Sequence, residues 1–503
     1  MHWYRDLLFN KGIHKDNIMN SFTNSLDNNL ITKENPVPET EPLRQEYFIS
    51  CLNDIIQEKT LEAGRRPTYK IVTFGCQMNA RDSEKLAGIL SNIGYAEGEN
   101  EETSDLVIFN TCTVRENAND RLYGRLGKLK KQKSLNNDML IGICGCMMQE
   151  KDEVEKIVKS YRYVDMIFGT HNIYKLAEIL YNRLHGRKRV VDIINGTDMI
   201  VEKLPSKRVY KFKSGVNIMF GCNNFCSFCI VPYVRGRERS RQPEDIVAEI
   251  KSLVEDGVVE VMLLGQNVNS YGRGLGRNIS FAGLLAMIAE IEGLKRIRFM
   301  TPHPKDLSDD VIKVMKNNPK ICRHIHLPLQ SGSSKVLKNM NRIYDKEKYL
   351  ELALKIKDEI PDISLTTDII VGFPTETEDD FLDTLDVVRR VEYDSAFTFI
   401  YSKRTGTPAA KYDIKPDEAV IKNRFNRLLK EVQQISTKRA LSHVGQIHEA
   451  LVEGIDEQLE GYVTARLGNN MIVHIPGNKT EIGSFFNVML DQARGFYFMG
   501  HRI

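Results

Sequence analysis

Between Tyr69 and Tyr401 the chain alternates short apolar runs with stretches long enough to be helices, and this rhythm constrains its fold more than any other feature. Early runs lie at Tyr69 to Phe74, Leu106 to Thr111, Met139 to Gly145 and Val164 to Gly169. One intervening stretch, Ser83 to Ile93, spaces Leu86, Leu90 and Ile93 for a single helical face. Strands alternating with helices bury both faces of a sheet, so residues 67–186 are expected to form a parallel α/β domain.

Residues 186–208 carry Lys, Arg and Pro205 and read as a linker. A second series follows, with strands expected at Asn217 to Gly221, Glu260 to Gly265, Arg296 to Met300, His324 to Leu329, Leu365 to Phe373 and Ala396 to Tyr401. Six strands with helices between them suit a partial (β/α)6 barrel over residues 208–440, an open sheet being the alternative. After a last helix near Pro416 to Ala440, five short runs separated by Gly replace the helical period. They begin at Ile447, Glu460, Met471, Phe485 and Gly495 and read as a small all-β barrel over residues 441–503. Residues 1–66, with Pro36, Pro38 and Pro42 and no sustained apolar period, read as a poorly ordered or loosely docked extension.

At 42% apolar and 27% charged residues the composition is that of a soluble globular protein. No run of about eighteen apolar residues and no secretory leader pattern stand out, so a cytoplasmic protein without a membrane partner is expected. The net charge of +3 decides little about nucleic acid. Nine cysteines in a reducing compartment point to metal or redox chemistry rather than to disulfides.

Cys222-Asn-Asn-Phe-Cys226-Ser-Phe-Cys229 follows a predicted strand and Gly221. Three thiolates at this spacing can each hold one iron of a cubane cluster and leave the fourth iron without a protein ligand. That vacancy can chelate the amino and carboxylate groups of S-adenosylmethionine and deliver an electron to its sulfonium. The alternatives are a zinc site or buried thiols, but structural zinc sites want four ligands and Cys322 is remote in sequence. A second triad emerges from the strand positions: Cys76, Cys112 and Cys146 each follow a strand of the first domain. In a parallel sheet those ends share one edge, so the thiols can converge, although buried cysteines at strand ends are also common. Cys144 lies within its strand and, with Cys51 and Cys322, is read as a plain thiol.

The stretches Thr73-Phe-Gly-Cys-Gln-Met-Asn79, Asn110-Thr-Cys-Thr-Val-Arg115, Gly145-Cys-Met-Met-Gln149, Phe220-Gly-Cys222 through Cys229, Val231-Pro-Tyr233, Arg235-Gly-Arg-Glu238 and Ser240-Arg241 resemble the methylthiotransferase family of radical S-adenosylmethionine enzymes over residues 67–503. The resemblance implies an N-terminal domain with an auxiliary cluster, a radical domain and a terminal barrel of the TRAM kind. It implies two [4Fe-4S] clusters, one on Cys76, Cys112 and Cys146 and one on Cys222, Cys226 and Cys229, with S-adenosyl-L-methionine as cofactor. Gln77 and Met78 after the first cysteine are similar to the MiaB-type branch, which converts N6-isopentenyladenosine at position 37 of tRNA to its 2-methylthio derivative. In that mechanism one S-adenosylmethionine methylates a sulfur carried on the auxiliary cluster. A radical from the second removes hydrogen from C2 of adenine. Other branches act on a ribosomal-protein aspartate or on threonylcarbamoyl-adenosine, and a non-catalytic iron–sulfur RNA-binding sensor is the reading from a different class. A monomer that meets tRNA, an electron donor and a sulfur donor is expected.

Gly265, Gln266 and Asn267 end the second barrel strand, where superfamily members commonly contact the amino group of S-adenosylmethionine. Gln330 and Ser331 sit at a later strand end and could do likewise, or could simply form turns. For RNA phosphates the candidates are Arg121, Arg125 and Lys128 on one helical face and the alternating Arg235, Arg237, Arg239 and Arg241. Tyr462, Phe496 and Tyr497 could stack on bases or belong to the core. His303, His324 and His326 read as core or barrel-lining side chains rather than metal ligands.

Overall fold

A computed structural model of the chain describes residues 36–113, 116–186, 188–300, 302–413 and 416–503. Its first unit is a six-stranded parallel sheet made of β1 (Thr68–Thr73), β2 (Ala96–Glu97), β3 (Leu106–Thr111), β4 (Leu140–Gly145), β5 (Met166–Gly169) and β6 (Val190–Asp192), in the order β2-β1-β3-β4-β5-β6. Every residue of β3 and β4 is buried, because apolar clusters cover both sheet faces. One cluster uses α1 (Leu43–Ala63) and α2 (Gln77–Ile93); the other includes Leu122, Leu126 and Leu129 of α3 (Glu116–Leu135).

Two boundaries depart from expectation. Residues 43–63 are not a loose extension but the well-packed helix α1, whose Phe48, Leu52 and Ile56, four apart, are buried on the domain. Arg44 anchors the start of that helix to Glu178 at 2.7 Å. Residues 1–35 of the expected extension lie outside the described residues. Val190–Asp192, inside the expected linker, is the sixth strand of the sheet. The basic residues beside it hid it, yet Arg189 is an internal tie that donates to the carbonyls of Val158, Tyr161 and Val164.

The second unit carries β7 (Lys213–Asn217), the short antiparallel pair β8 (Met219–Phe220) and β9 (Arg239–Ser240), then β10 (Glu260–Leu264), β11 (Arg296–Phe299), β12 (His324–His326), β13 (Ser364–Val371) and β14 (Ser395–Ile400). Its parallel strands form two three-stranded sheets, β11-β10-β7 and β12-β13-β14, joined by a bridge between Ile297 and Ile321 into a six-stranded partial barrel. The first barrel strand comes earlier than the apolar run at Asn217 to Gly221 suggests. At Gly215 the strand lies so close to Leu264 that a Cβ would stand 2.8 Å from its Cδ1, so a small residue fits there.

The third unit is a closed barrel of β15 (Ile447–Ile455), β16 (Tyr462–Leu467), β17 (Ile472–Pro476), β18 (Phe485–Arg494) and β19 (Tyr497–Arg502), ordered β15-β16-β17-β19-β18. It docks on the amino-terminal ends of the partial-barrel strands. Lys213 reaches Glu453 at 2.6 Å, Arg296 donates to the carbonyls of Arg466 and Glu449, and Arg298 donates to those of Leu467 and Gly468. Among the described residues no helix is long and apolar enough to cross a membrane.

Candidate active site

Cys76 is the residue that opens α2 just beyond β1, Cys112 follows β3, and Cys146 begins a tight turn directly after β4. Because β1, β3 and β4 are adjacent, the three thiols stand together at the carboxyl edge, with Cys76 and Cys112 flanking the point where strand order reverses. The loop before Cys76 leaves no slack, since a Cβ on Gly75 would stand 2.9 Å from the Cβ of Cys112. At Gly145 the backbone is left-handed, φ 98°, and a Cβ would stand 2.5 Å from the Asn110 side-chain oxygen and overlap the Thr111 carbonyl.

A polar network holds this edge. Asn79 donates to the Asn110 side chain at 3.1 Å and to the Thr111 carbonyl at 2.8 Å, while its own oxygen accepts from the Cys76 thiol at 3.4 Å. Asn110 answers by donating to the Asn79 carbonyl at 2.8 Å. Arg235 enters from the second unit: its Nε donates to Cys146 Sγ at 3.1 Å, and Nη2 lies 3.2 Å from Asn79 Oδ1 and 3.1 Å from Asp82 Oδ2. Burial pushes the Cys146 thiol up to about 11, against the pull of Arg235. His171 is lowered to about 4, first by burial and then by Arg239 and Arg235.

The second triad occupies one loop. Gly221, φ 74°, lies so close to the following segment that a Cβ would stand 2.5 Å from the Arg237 carbonyl carbon, and Cys222 donates its N–H to the Gly236 carbonyl. Three ties fix the far side of the loop: Asn341 to the Phe225 carbonyl at 2.9 Å, and Ser227 to the carbonyls of Met340 and Asn339. Arg342 Nη1 donates to Cys226 Sγ at 3.4 Å while its other nitrogens hold Tyr344 and the Pro328 carbonyl. Burial raises Cys222 to about 11 and Cys229 to about 12, with the neighbouring thiols adding to the rise.

Within each triad the thiols are near enough to perturb one another, yet among the described residues no three His, Cys, Asp or Glu side chains converge on one ion position. A cubane makes no such demand, because each thiolate meets a separate iron. The donor set, the tight backbone turns and a cation on each triad, Arg235 and Arg342, all suit such a group. The triads also share a scaffold, since the segment that carries Arg235 and Gly236 touches both.

The other expected site residues divide. Gln266 donates to the Met78 sulfur, joining the two units, and its Oε1 is buried without a partner, free for a ligand group. Gly265 lies against Met219. Asn267 is engaged in the scaffold, donating to Asp306 at 2.7 Å and accepting the His303 N–H at 3.1 Å. Gln330 takes a left-handed backbone and bridges to Ile369, and the Ser331 hydroxyl is fully buried against Thr384 and the Ser333 N–H. His324 and His326 line the partial barrel and share the Thr366 hydroxyl at 3.0 Å. Phe397 and Phe399, 55% and 50% exposed on edge strand β14, extend that lining, Phe397 meeting the His326 ring edge-on. Nothing in the alternation of β14 had marked those rings as inward-facing.

The four alternating arginines do not form one exposed row. Arg235 and Arg241 are buried, Arg241 on Glu202 and Glu249, because a short helix at Val231–Val234 and the turn at Gly236 break the extended geometry. Arg237 stays exposed over the Phe225 ring. On α3, Arg121, Arg125 and Lys128 are exposed, Arg125 pairing with Glu101. Phe496, in the turn between β18 and β19, is 92% exposed, whereas Tyr497 packs on His474.

Family models described as the Radical SAM superfamily and as Uncharacterized protein family UPF0004 match residues 216–388 and 68–169. The chain is 63% identical over 439 residues to a tRNA-2-methylthio-N(6)-dimethylallyladenosine synthase of Lachnoclostridium phytofermentans, covering 87% of this chain and 96% of that protein. A protein of the same name from Thermoanaerobacter sp. strain X514 is 49% identical over 467 residues, 93% and 98% of the two chains. Among solved structures, the radical S-adenosylmethionine methyltransferase TsrM from Kitasatospora setae shares the fold, with a TM-score of 0.51 at 14% identity over 68% of this chain and 75% of that one. With a site built of two cysteine triads and relatives matched over nearly their whole length, this chain belongs to the tRNA-2-methylthio-N(6)-dimethylallyladenosine synthase family of radical S-adenosylmethionine proteins.

Proposed function

We propose that this chain adds a methylthio group to C2 of N6-dimethylallyladenosine at position 37 of tRNA, with one [4Fe-4S] cluster on Cys222, Cys226 and Cys229 and a second on Cys76, Cys112 and Cys146. The observation that carries this reading is the meeting of two thiol triads across a single segment, 231–241, in a chain whose relatives bear that name. Bound there, the clusters and S-adenosylmethionine supply the radical, the methyl group and the sulfur.

The protein's own residues bind, orient and shield. Cys222, Cys226 and Cys229 would hold the cluster that binds S-adenosylmethionine, and Gln266 Oε1 offers an acceptor for its amino group. Phe397 and Phe399 give the dimethylallyl chain an apolar wall. No acid–base pair is required, since removal of a hydrogen atom leaves no charge for a carboxylate to neutralise. On the outer surface Arg121, Lys128 and Arg237 present cations to phosphates and Phe496 presents a ring to a base. An electron donor and a sulfur donor complete the partners, and the chain acts as a monomer in the cytoplasm.

Nucleoside mass spectrometry of tRNA from a deletion strain tests the assignment. The 2-methylthio derivative should vanish, with N6-dimethylallyladenosine accumulating, and return on complementation. Persistence of the 2-methylthio nucleoside in the deletion strain overturns it.

A further inference from the structure

Arg235 crosses from the second unit to touch a thiol of the first. It is 5% exposed, and stripping water from a guanidinium costs several kcal/mol unless anions replace the water. Its one carboxylate, Asp82, lies 3.1 Å away, but that oxygen makes no well-formed hydrogen bond, and the remaining contacts are the Cys146 sulfur and the Asn79 amide oxygen. A guanidinium placed this way is under-compensated while the sulfurs are neutral thiols. It is matched when they are thiolates on a cluster, because a cubane with three thiolates carries net negative charge.

We infer that Arg235 is the electrostatic partner of the Cys76, Cys112 and Cys146 cluster, supplied by the radical domain, and that its positive charge holds that cluster's reduction potential up. The inference rests on reading those cysteines as cluster ligands. Reduction adds negative charge, so a buried cation at hydrogen-bond distance from a ligand sulfur favours the reduced form. Arg342 stands in the same relation to Cys226, but from within its own domain. Arg235 differs in linking two sites. The carbonyl of the next residue, Gly236, holds the N–H of Cys222, so the peptide that delivers the charge to one triad also sets the loop of the other.

The test uses the full chain with Cys222, Cys226 and Cys229 all changed to Ala, so that only the first triad can hold iron. After anaerobic reconstitution, iron per chain and the midpoint potential by mediated electron paramagnetic resonance titration are measured for this parent and for Arg235→Gln and Arg235→Lys in the same background. The expected result is a cluster in all three, with the potential of Arg235→Gln shifted to more negative values and that of Arg235→Lys close to the parent. Loss of iron from the Gln variant alone also supports the inference, as a charge needed for assembly. An unchanged potential in Arg235→Gln, or a Lys variant that behaves like the Gln variant, overturns it. A parent that holds no iron overturns the cluster reading itself, an outcome distinct from any difference among the variants.

Discussion

Cys222, Cys226 and Cys229 share one loop, whereas Cys76, Cys112 and Cys146 arrive from three strand ends and meet only because β1, β3 and β4 lie side by side. The Cys222 triad is specified by local spacing and the Cys76 triad by topology. A local triad needs little beyond its own turn and a few ties to the segment at Asn339–Arg342. A topological triad needs the strand register, the Asn79–Asn110 network and a cation from another domain. Damage to the fold should therefore reach the Cys76 site before it reaches the Cys222 site.

The sharpest break is functional. Cys222→Ala should abolish formation of 5′-deoxyadenosine from S-adenosylmethionine, while Cys76→Ala should retain cleavage and yield no methylthio product, both read by chromatography of single reactions. If Cys76→Ala makes product, the division of labour is wrong. Next in size is iron: changing Cys76, Cys112 and Cys146 together to Ala should leave about half of the wild-type iron per chain, because one of two four-iron groups is lost. Equal iron would show that those thiols hold none.

A smaller effect separates the two turns. Gly145→Ala and Gly221→Ala should each destabilise the chain by about 1–3 kcal/mol in denaturant titrations, since a side chain meets backbone in a left-handed conformation. Gly145→Ala should deplete only the iron of the Cys76, Cys112 and Cys146 triad. Depletion of both groups to the same degree would argue against independent sites.

The smallest effect is a pH slope. His171 and His303 are held neutral in the fold, lowered to about 4 and about 2, in both cases first by burial and then by neighbouring cations. Their stabilising contribution is complete above the free histidine value and is lost as pH falls below about 6.5, because only the unfolded chain then takes up the proton. By pH 5.5 each accounts for about 1 kcal/mol. His171→Asn and His303→Asn should flatten the fall in apo-protein stability relative to the parent by similar amounts, and a variant as steep as the parent refutes the assignment for that histidine.

Much of this architecture is legible in the sequence, for reasons the two triads make plain. The strand–helix rhythm reports burial on both sheet faces, and once strands are located the cysteines that follow them fall on one edge. The local motif is legible without any fold. What escapes is whatever depends on a distant partner. Arg235 and Arg241 have the spacing of an exposed row, and their burial depends on partners from other segments: Asn79, Asp82 and Cys146 around the one, Glu202 and Glu249 around the other. Asn267 and Ser331 have the chemistry of ligand contacts, but Asp306 and Thr384 have already claimed their polar atoms. In α1 the spacing of Phe48, Leu52 and Ile56 was present, but charged and polar neighbours dilute it, and its partners lie more than a hundred residues away on the helix Leu176–Leu184.

The docking of the terminal barrel on the base of the partial barrel has a metric consequence. Arg296 and Arg298 seal that base, so the mouth with its phenylalanine wall lies at the opposite end, about 20 Å away for strands of this length at roughly 3.3 Å per residue. An RNA that touches the terminal barrel while its adenosine enters the mouth must run along the flank of the enzyme. For such an RNA, recognition would depend on how far the target nucleoside stands from that second foothold as well as on which bases surround it.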